Sequence, residues 1–200
     1  MTEITCACER SFEVDIPDSV DLATQPKATD EIIAGTFLTF TCPHCGNQIK
    51  PEFPFHVFDS SDATDIFLIP EIERDRFLLG ISEHSDHERV VIGFSELAEK
   101  LLIRRAGLDD RAVELIKYYL LIKAGPTANP QIFFRRVESE DLILEILGMK
   151  ADEVGVARIP RKLYDSALQD LSTKIHEDPY RIILEPPYVS ITKIEIAEEE

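Results

Sequence analysis

The sequence contains no tryptophan, two methionines and only eight glycines in 200 residues. No glycine-rich phosphate loop, nucleophile elbow or ordered Ser/His/Asp set is present, which argues against a nucleotide enzyme or a common hydrolase. Basic residues are also scarce. The 21 Lys and Arg face 38 Asp and Glu, for a formal net charge of −17. A nucleic-acid backbone or an anionic membrane needs basic surface, so neither is expected as the main partner. Long apolar runs are missing: Tyr118–Ile122 is far too short to span a bilayer. Met1-Thr2-Glu3 opens the chain without the basic and apolar regions of a secretory signal. These absences lead to the expectation of a cytoplasmic protein. The 44 % of apolar residues suffices for a core.

Cysteine is sparse but not scattered. The four cysteines form two tight pairs, Cys6/Cys8 and Cys42/Cys45. In a reducing compartment such pairs read as metal ligands rather than disulfides. Zinc favours four thiolates in a tetrahedron, and a Cys-x-x-Cys turn supplies two from one loop. Cys42-Pro43-His44-Cys45-Gly46 has that form: Pro43 stiffens the turn, and Gly46 can take the positive φ that aims backbone amides at the sulfurs. Cys6-Ala7-Cys8 is one residue shorter. The 33 residues between Cys8 and Cys42 allow a strand, a loop and a returning strand. One structural zinc site of Cys6, Cys8, Cys42 and Cys45 is the expectation.

Two other chemistries compete for these thiols. Cys-Pro-His-Cys resembles the active site of thioredoxin-fold oxidants, but that fold needs a helix after the motif. Gly46-Asn47-Gln48-Ile49-Lys50-Pro51 is not one. A Cys-x-Cys, a long gap and a Cys-x-x-Cys also resemble the zinc switch of redox-regulated heat-shock chaperones, where oxidation releases the metal. If Cys6/Cys8 left a coordination position open, a zinc-bound water could make a hydrolase.

Periodicity gives a coarse map. Phe12, Val14 and Ile16 alternate as in a strand, Pro17–Lys27 reads as a loop, and Asp30–Ala34 as a short helix ended by Gly35. Thr36–Thr41 is β-rich. Ile49–Phe58, broken by Pro51 and Pro54, reads as an edge strand or connector, and Ile66–Ile69 as a buried strand. A helical hairpin spans 95–125. Ser95 caps its first helix, and Leu97, Leu101 and Leu102 face inward. Asp109 caps the second, with Leu108 stapled on Val113 and a stripe of Ala112, Leu115, Ile116, Tyr119 and Leu120. After a linker at Thr127–Pro130, Gln131–Val137 and Asp141–Leu147 form a hairpin and Val154–Ile159 a third strand. A helix follows Pro160, with Leu163, Tyr164, Ala167, Leu168 and Leu171 at helical spacing. Ile182–Leu184 and Val189–Ile196 read as β-like, and Glu198–Glu200 as a tail.

Residues 1 to about 125 resemble the CpXC family of bacterial and archaeal proteins, which carries two Cys-Pro-x-Cys motifs about forty residues apart. The matching positions are Cys8 to Phe12, Pro26, Ile32, Gly35, Phe37, Cys42 to Gly46 and Phe55-His56-Val57-Phe58-Asp59. Ser95-Glu96-Leu97, Glu99-Lys100-Leu101 and Gly107 to Arg111 also match. The first motif departs from the pattern. Thr5 stands at the first cysteine position, Cys6 at the proline and Glu9 at the glycine. The resemblance supports the zinc site and implies no activity.

Other clusters have simpler explanations. His84-Ser85-Asp86-His87-Glu88 has metal-ligand types but reads as a solvated turn. Asp109-Asp110-Arg111 reads as a cap with a local ion pair, and Asp59 as a turn former rather than a support for the zinc ligands. Arg135, Arg136, Arg158, Arg161 and Lys162 could make a basic patch but read as solvated charges. The expectation is therefore an α+β protein. A zinc-ribbon-like module with the hairpin at 95–125 (residues 1–126) precedes a small strand-rich α+β domain (127–200). Its function would be non-catalytic, with structural zinc and a protein partner. The alternatives are a redox-responsive switch or, third, a zinc hydrolase.

Overall fold

The computed structural model describes residues 1–81, 87–125, 130–150 and 153–197. It is α+β, as expected. The chain divides into two compact units, Met1–Ala98 and Glu99–Glu200, and the division falls inside a helix. The boundary expected at 126/127, most of the linker, the tail, and His84, Ser85 and Asp86 all lie outside the described residues.

The first unit opens with an antiparallel hairpin, β1 (Thr2–Thr5) and β2 (Ser11–Val14), whose turn carries Cys6 and Cys8. The segment expected as a loop holds a short strand, β3 (Ser19–Asp21), and the start of α1 (Pro26–Ile33). Pro26 sits in the first helical turn, where a missing N–H is harmless, so the helix begins four residues before Asp30. Only Phe40–Thr41 of the expected Thr36–Thr41 run is a strand, β4. It pairs with β5 (Gln48–Ile49) around the second cysteine loop. Leu38 at φ 52 breaks extension before it.

β6 (Phe55–Phe58), β7 (Asp65–Ile69) and β8 (Arg89–Ile92) complete a four-stranded sheet of order β3-β6-β7-β8. β6 is interior rather than an edge. Pro54 stops just short of it, so every residue of β6 can donate to the ladder. Alternation sorts the side chains. Phe55, Val57, Ile66 and Leu68 are buried, while His56, Phe58, Asp65 and Phe67 lie half-buried on the other face. The short helix α2 (Arg74–Leu78) follows β7.

Helix α3 (Gly93–Arg105) crosses from the first unit to the second, and α4 (Asp110–Ala124) follows. Asp109 caps α4 by accepting the Arg111 amide at 2.9 Å and pairs with the Arg111 guanidinium at 2.7 Å. Leu108, Ala112, Val113, Leu115 and Ile116 join the core of the second unit, so the staple and the inner stripe stand as read. The meander β9 (Gln131–Glu138), β10 (Asp141–Lys150) and β11 (Glu153–Ile159) contributes Ile132, Phe134, Leu142 and Leu144 to it. In α5 (Arg161–Lys174) Tyr164, Ala167 and Leu171 face inward, but Leu163 and Leu168 flank the stripe and are exposed.

Two expected β-like runs are helices instead, α6 (Tyr180–Leu184) and α7 (Thr192–Ala197). A short run rich in isoleucine looks the same for a strand or a buried helix. Packing favours the helices: Ile183 and Leu184 of α6 are buried in the core, and Ile194 of α7 packs against it.

The second unit also buries a polar network that no apolar pattern announces. Lys117 donates to Glu99 at 2.7 Å and Glu114 at 2.8 Å, and Lys100 donates to Asp110 at 3.1 Å and to the Val189 carbonyl at 3.0 Å. The remaining carboxylate oxygens accept the amides of Phe134 (on Glu99) and Ile191 (on Glu114), so each buried group is paired. Burial alone would lower the Lys117 ammonium. Glu114 and Glu99 outweigh it and hold its pKa above the ordinary lysine value.

Candidate metal centre

Each cysteine pair sits in the turn of its own hairpin. In the second loop the Cys42 amide donates to the Asn47 carbonyl at 2.8 Å and the Gly46 amide to the Cys42 carbonyl at 2.9 Å, with Gly46 at φ 75. In the first, the Cys6 amide donates to the Arg10 carbonyl at 2.9 Å and the Glu9 amide to the Cys6 carbonyl at 2.8 Å, with Glu9 at φ 64. The two loops share one hydrogen-bond pattern, and the first is shorter by one residue. Glu9 occupies the left-handed position that Gly46 fills in the other loop, where a side chain is strained.

The two loops bring all four sulfurs together. Cys6 Sγ lies 3.5 Å from Cys45 Sγ and Cys8 Sγ 3.8 Å from Cys42 Sγ. Ligand atoms of all four lie within 4.8 Å of one another. These distances are far from the bond of about 2.05 Å in a disulfide. They match the edge of about 3.8 Å between sulfurs set tetrahedrally at about 2.3 Å from one zinc ion. Cys6 and Cys42 are buried, whereas Cys8 and Cys45 are exposed.

The crowding appears in the thiol acidities. Burial opposes ionisation of Cys42. The amides of His44 and Cys45, with the thiols of Cys45 and Cys6, outweigh it and bring Cys42 down to about 7. The Asn47 amide favours a thiolate on Cys45, but burial and the other three sulfurs push it up to about 12. Four thiols this close cannot all ionise without a cation among them.

Asp59 and the four arginines took their simpler roles, but His87, expected in a solvated turn, is half-buried against Asp65. Asp59 accepts the Ser61 amide and hydroxyl and opens the turn between β6 and β7. Arg135 pairs with Glu145, Arg136 with Glu138, Arg158 with Glu138 and Asp141, and Arg161 with Asp165, so these four cations face acids. Among the described residues no helix is long and apolar enough to cross a membrane.

One convergence was not read from the sequence. His56, Asp65 and His87 meet on the half-open face of the four-stranded sheet. The signal was present only as alternation: His56 and Asp65 belong to adjacent strands, and His87 precedes the third.

A profile of the CpXC family, described as CpXC protein, matches residues 4–117. An "Uncharacterized protein" of Treponema pallidum (strain Nichols) is 26 % identical over 187 residues, covering 82 % of this chain and 86 % of its own. No solved structure matches. The family profile covers both cysteine loops, the sheet and most of the helical hairpin, and on that match the chain belongs to the CpXC family.

Proposed function

We propose that Cys6, Cys8, Cys42 and Cys45 bind one structural zinc ion in a non-catalytic, cytoplasmic protein that acts by binding another protein. The observation that carries the zinc reading is the pair of sulfur separations, 3.5 and 3.8 Å, close to the edge of a tetrathiolate tetrahedron. Two cysteine turns on short facing hairpins suit a zinc-ribbon-like module. Four sulfurs fill the tetrahedron, leaving no position for a reactive water, which favours a structural role over a hydrolase. A protein partner is supported by three exposed apolar side chains between positions 72 and 81, Ile72, Leu79 and Ile81, at 91, 66 and 61 % exposure.

The test is X-ray absorption at the zinc edge of purified protein. Four sulfurs at about 2.3 Å are expected, and the signal should be lost in Cys42→Ser/Cys45→Ser. Zinc bound without sulfur, or less than about one equivalent, would refute the reading, because a structural site is filled in the folded protein.

A second reading rests on the exposure of Cys8 and Cys45. Each is close to a buried partner thiol, so peroxide could form two disulfides and release the metal. Zinc retention after peroxide treatment would rule out that switch.

A further inference from the structure

We propose a second metal site in this protein, formed by His56, Asp65 and His87, which takes a zinc-class divalent cation and leaves one side open to solvent. The ligand atoms already converge. His56 Nε2 lies 2.6 Å and His87 Nδ1 3.0 Å from Asp65 Oδ1, and the three lie within 4.8 Å of one another. Imidazole nitrogens and carboxylate oxygens sit about 2.0–2.2 Å from zinc, so ligand atoms on one ion are about 3–3.5 Å apart. Admitting a cation needs an expansion of under about 1 Å.

The strand register makes this meeting. His56 faces Phe67 and Asp65 faces Phe58 across the β6–β7 pair, which places His56 and Asp65 as diagonal neighbours on one face. Asp65 Oδ2 accepts the Glu88 amide at 3.3 Å, which ties the carboxylate to the segment that carries His87. Both imidazoles are held by aromatic neighbours. The His87 ring stacks on Phe67 at 4.7 Å and 8°, and the His56 ring stacks on Phe58 at 5.1 Å and 27°. Ring orientation is therefore fixed before any ion arrives, which reduces the ordering needed on binding.

The donor set selects the cation. Two imidazoles and one carboxylate suit zinc, cobalt, nickel or ferrous iron, and two nitrogen ligands of three disfavour calcium and magnesium. The side chains are 31, 35 and 24 % exposed, so water can reach the remaining position. Three protein ligands with one open position is the arrangement that lets a metal bind an exogenous group, unlike the closed set of four cysteines. Acidic residues outnumber basic ones in the first hundred positions by 20 to 7, which raises the local cation concentration.

The probe is Co2+ added to the full-length protein with its thiolate site loaded with zinc. One further equivalent should bind. Its spectrum should show weak d–d absorption without thiolate charge-transfer bands, and of the five histidines only His56 and His87 should shift paramagnetically as ligands in NMR. His87→Ala and Asp65→Asn should each weaken Co2+ binding at least tenfold, since even outer-shell partners are worth about 10–100-fold. Zinc retention by the cysteines checks that each variant is folded, and the wild-type NMR decides the matter if one is not. No second equivalent, thiolate bands on the added cobalt, or ligand shifts confined to other histidines would overturn the proposal.

Discussion

Replacing Lys117 by methionine should destabilise the second unit more than any surface change. The ammonium is buried and donates to both Glu99 and Glu114, within 2.7–2.8 Å. Methionine fills similar volume, so little packing is lost. What remains is two buried carboxylates with less compensation, because Lys100, 3.6 Å from Glu114, serves Asp110 as well. Removing one partner of a buried ion pair typically costs about 3–5 kcal/mol. At a urea dependence of about 1.5–2 kcal/mol per molar, the unfolding midpoint should fall by about 2 M. The sequence supplies a selective assay. There is no tryptophan, and the five tyrosines are Tyr118, Tyr119, Tyr164, Tyr180 and Tyr188, all in the second unit. Tyrosine fluorescence therefore follows that unit alone. Adding Glu99→Gln and Glu114→Gln to Lys117→Met should recover at least half the loss, since glutamine oxygens still accept the Phe134 and Ile191 amides. A single variant within about 1 kcal/mol of wild type, or a triple variant no better than the single, would refute the network's role.

Other perturbations test other parts of the molecule. Glu9→Gly should raise the thermal stability of the zinc-bound protein by about 1 kcal/mol, because glycine takes φ 64 without strain, whereas Glu9→Ala should give no gain. Stripping zinc with a chelator should speed hydrogen exchange at the Cys6, Glu9, Cys42 and Gly46 amides, which bond within the loops, and leave Val57 and Leu68 in the sheet interior protected. Lys174 and Tyr119 hold the Asp170 carboxyl below its ordinary value. Its contribution is thus present above the usual aspartate range and fades as pH falls through the folded value. Asp170→Asn should lower stability near pH 7 by under about 1 kcal/mol for this part-exposed pair, and the gap to wild type should narrow toward pH 3 in urea unfolding followed by circular dichroism.

What the sequence disclosed depended on how local the determining physics is. The cysteine loops were legible because such a turn is built from neighbours: in Cys42–Gly46 two thiols, a proline and a positive-φ residue fall within five positions. Even the misfit at Cys6 followed this rule. A loop one residue shorter keeps the same hydrogen bonds and still delivers its sulfurs to 3.5 and 3.8 Å of the other pair. The cap at Asp109 and the staple of Leu108 were legible for the same reason, whereas Ser95, expected as a cap, lies inside α3, which starts at Gly93. The helices at Tyr180–Leu184 and Thr192–Ala197 were not legible, because five or six apolar-rich residues carry no period and only the core around Ile183 and Leu184 selects their form. Polar groups on an otherwise apolar surface were hardest to interpret. Glu114 and Lys117 lie outside the apolar stripe read for α4, and only Glu99 from α3 and the Ile191 amide, which pair with them, account for their burial. His56 and Asp65 are related only through the β6–β7 pairing, and His87 through the segment that leads into β8. The two unforeseen polar clusters differ in one respect that bears on function. The network at Lys117 satisfies all its members internally, so it needs nothing further. The cluster at Asp65 directs two imidazole nitrogens onto one oxygen at a half-open surface, an arrangement that a cation would complete.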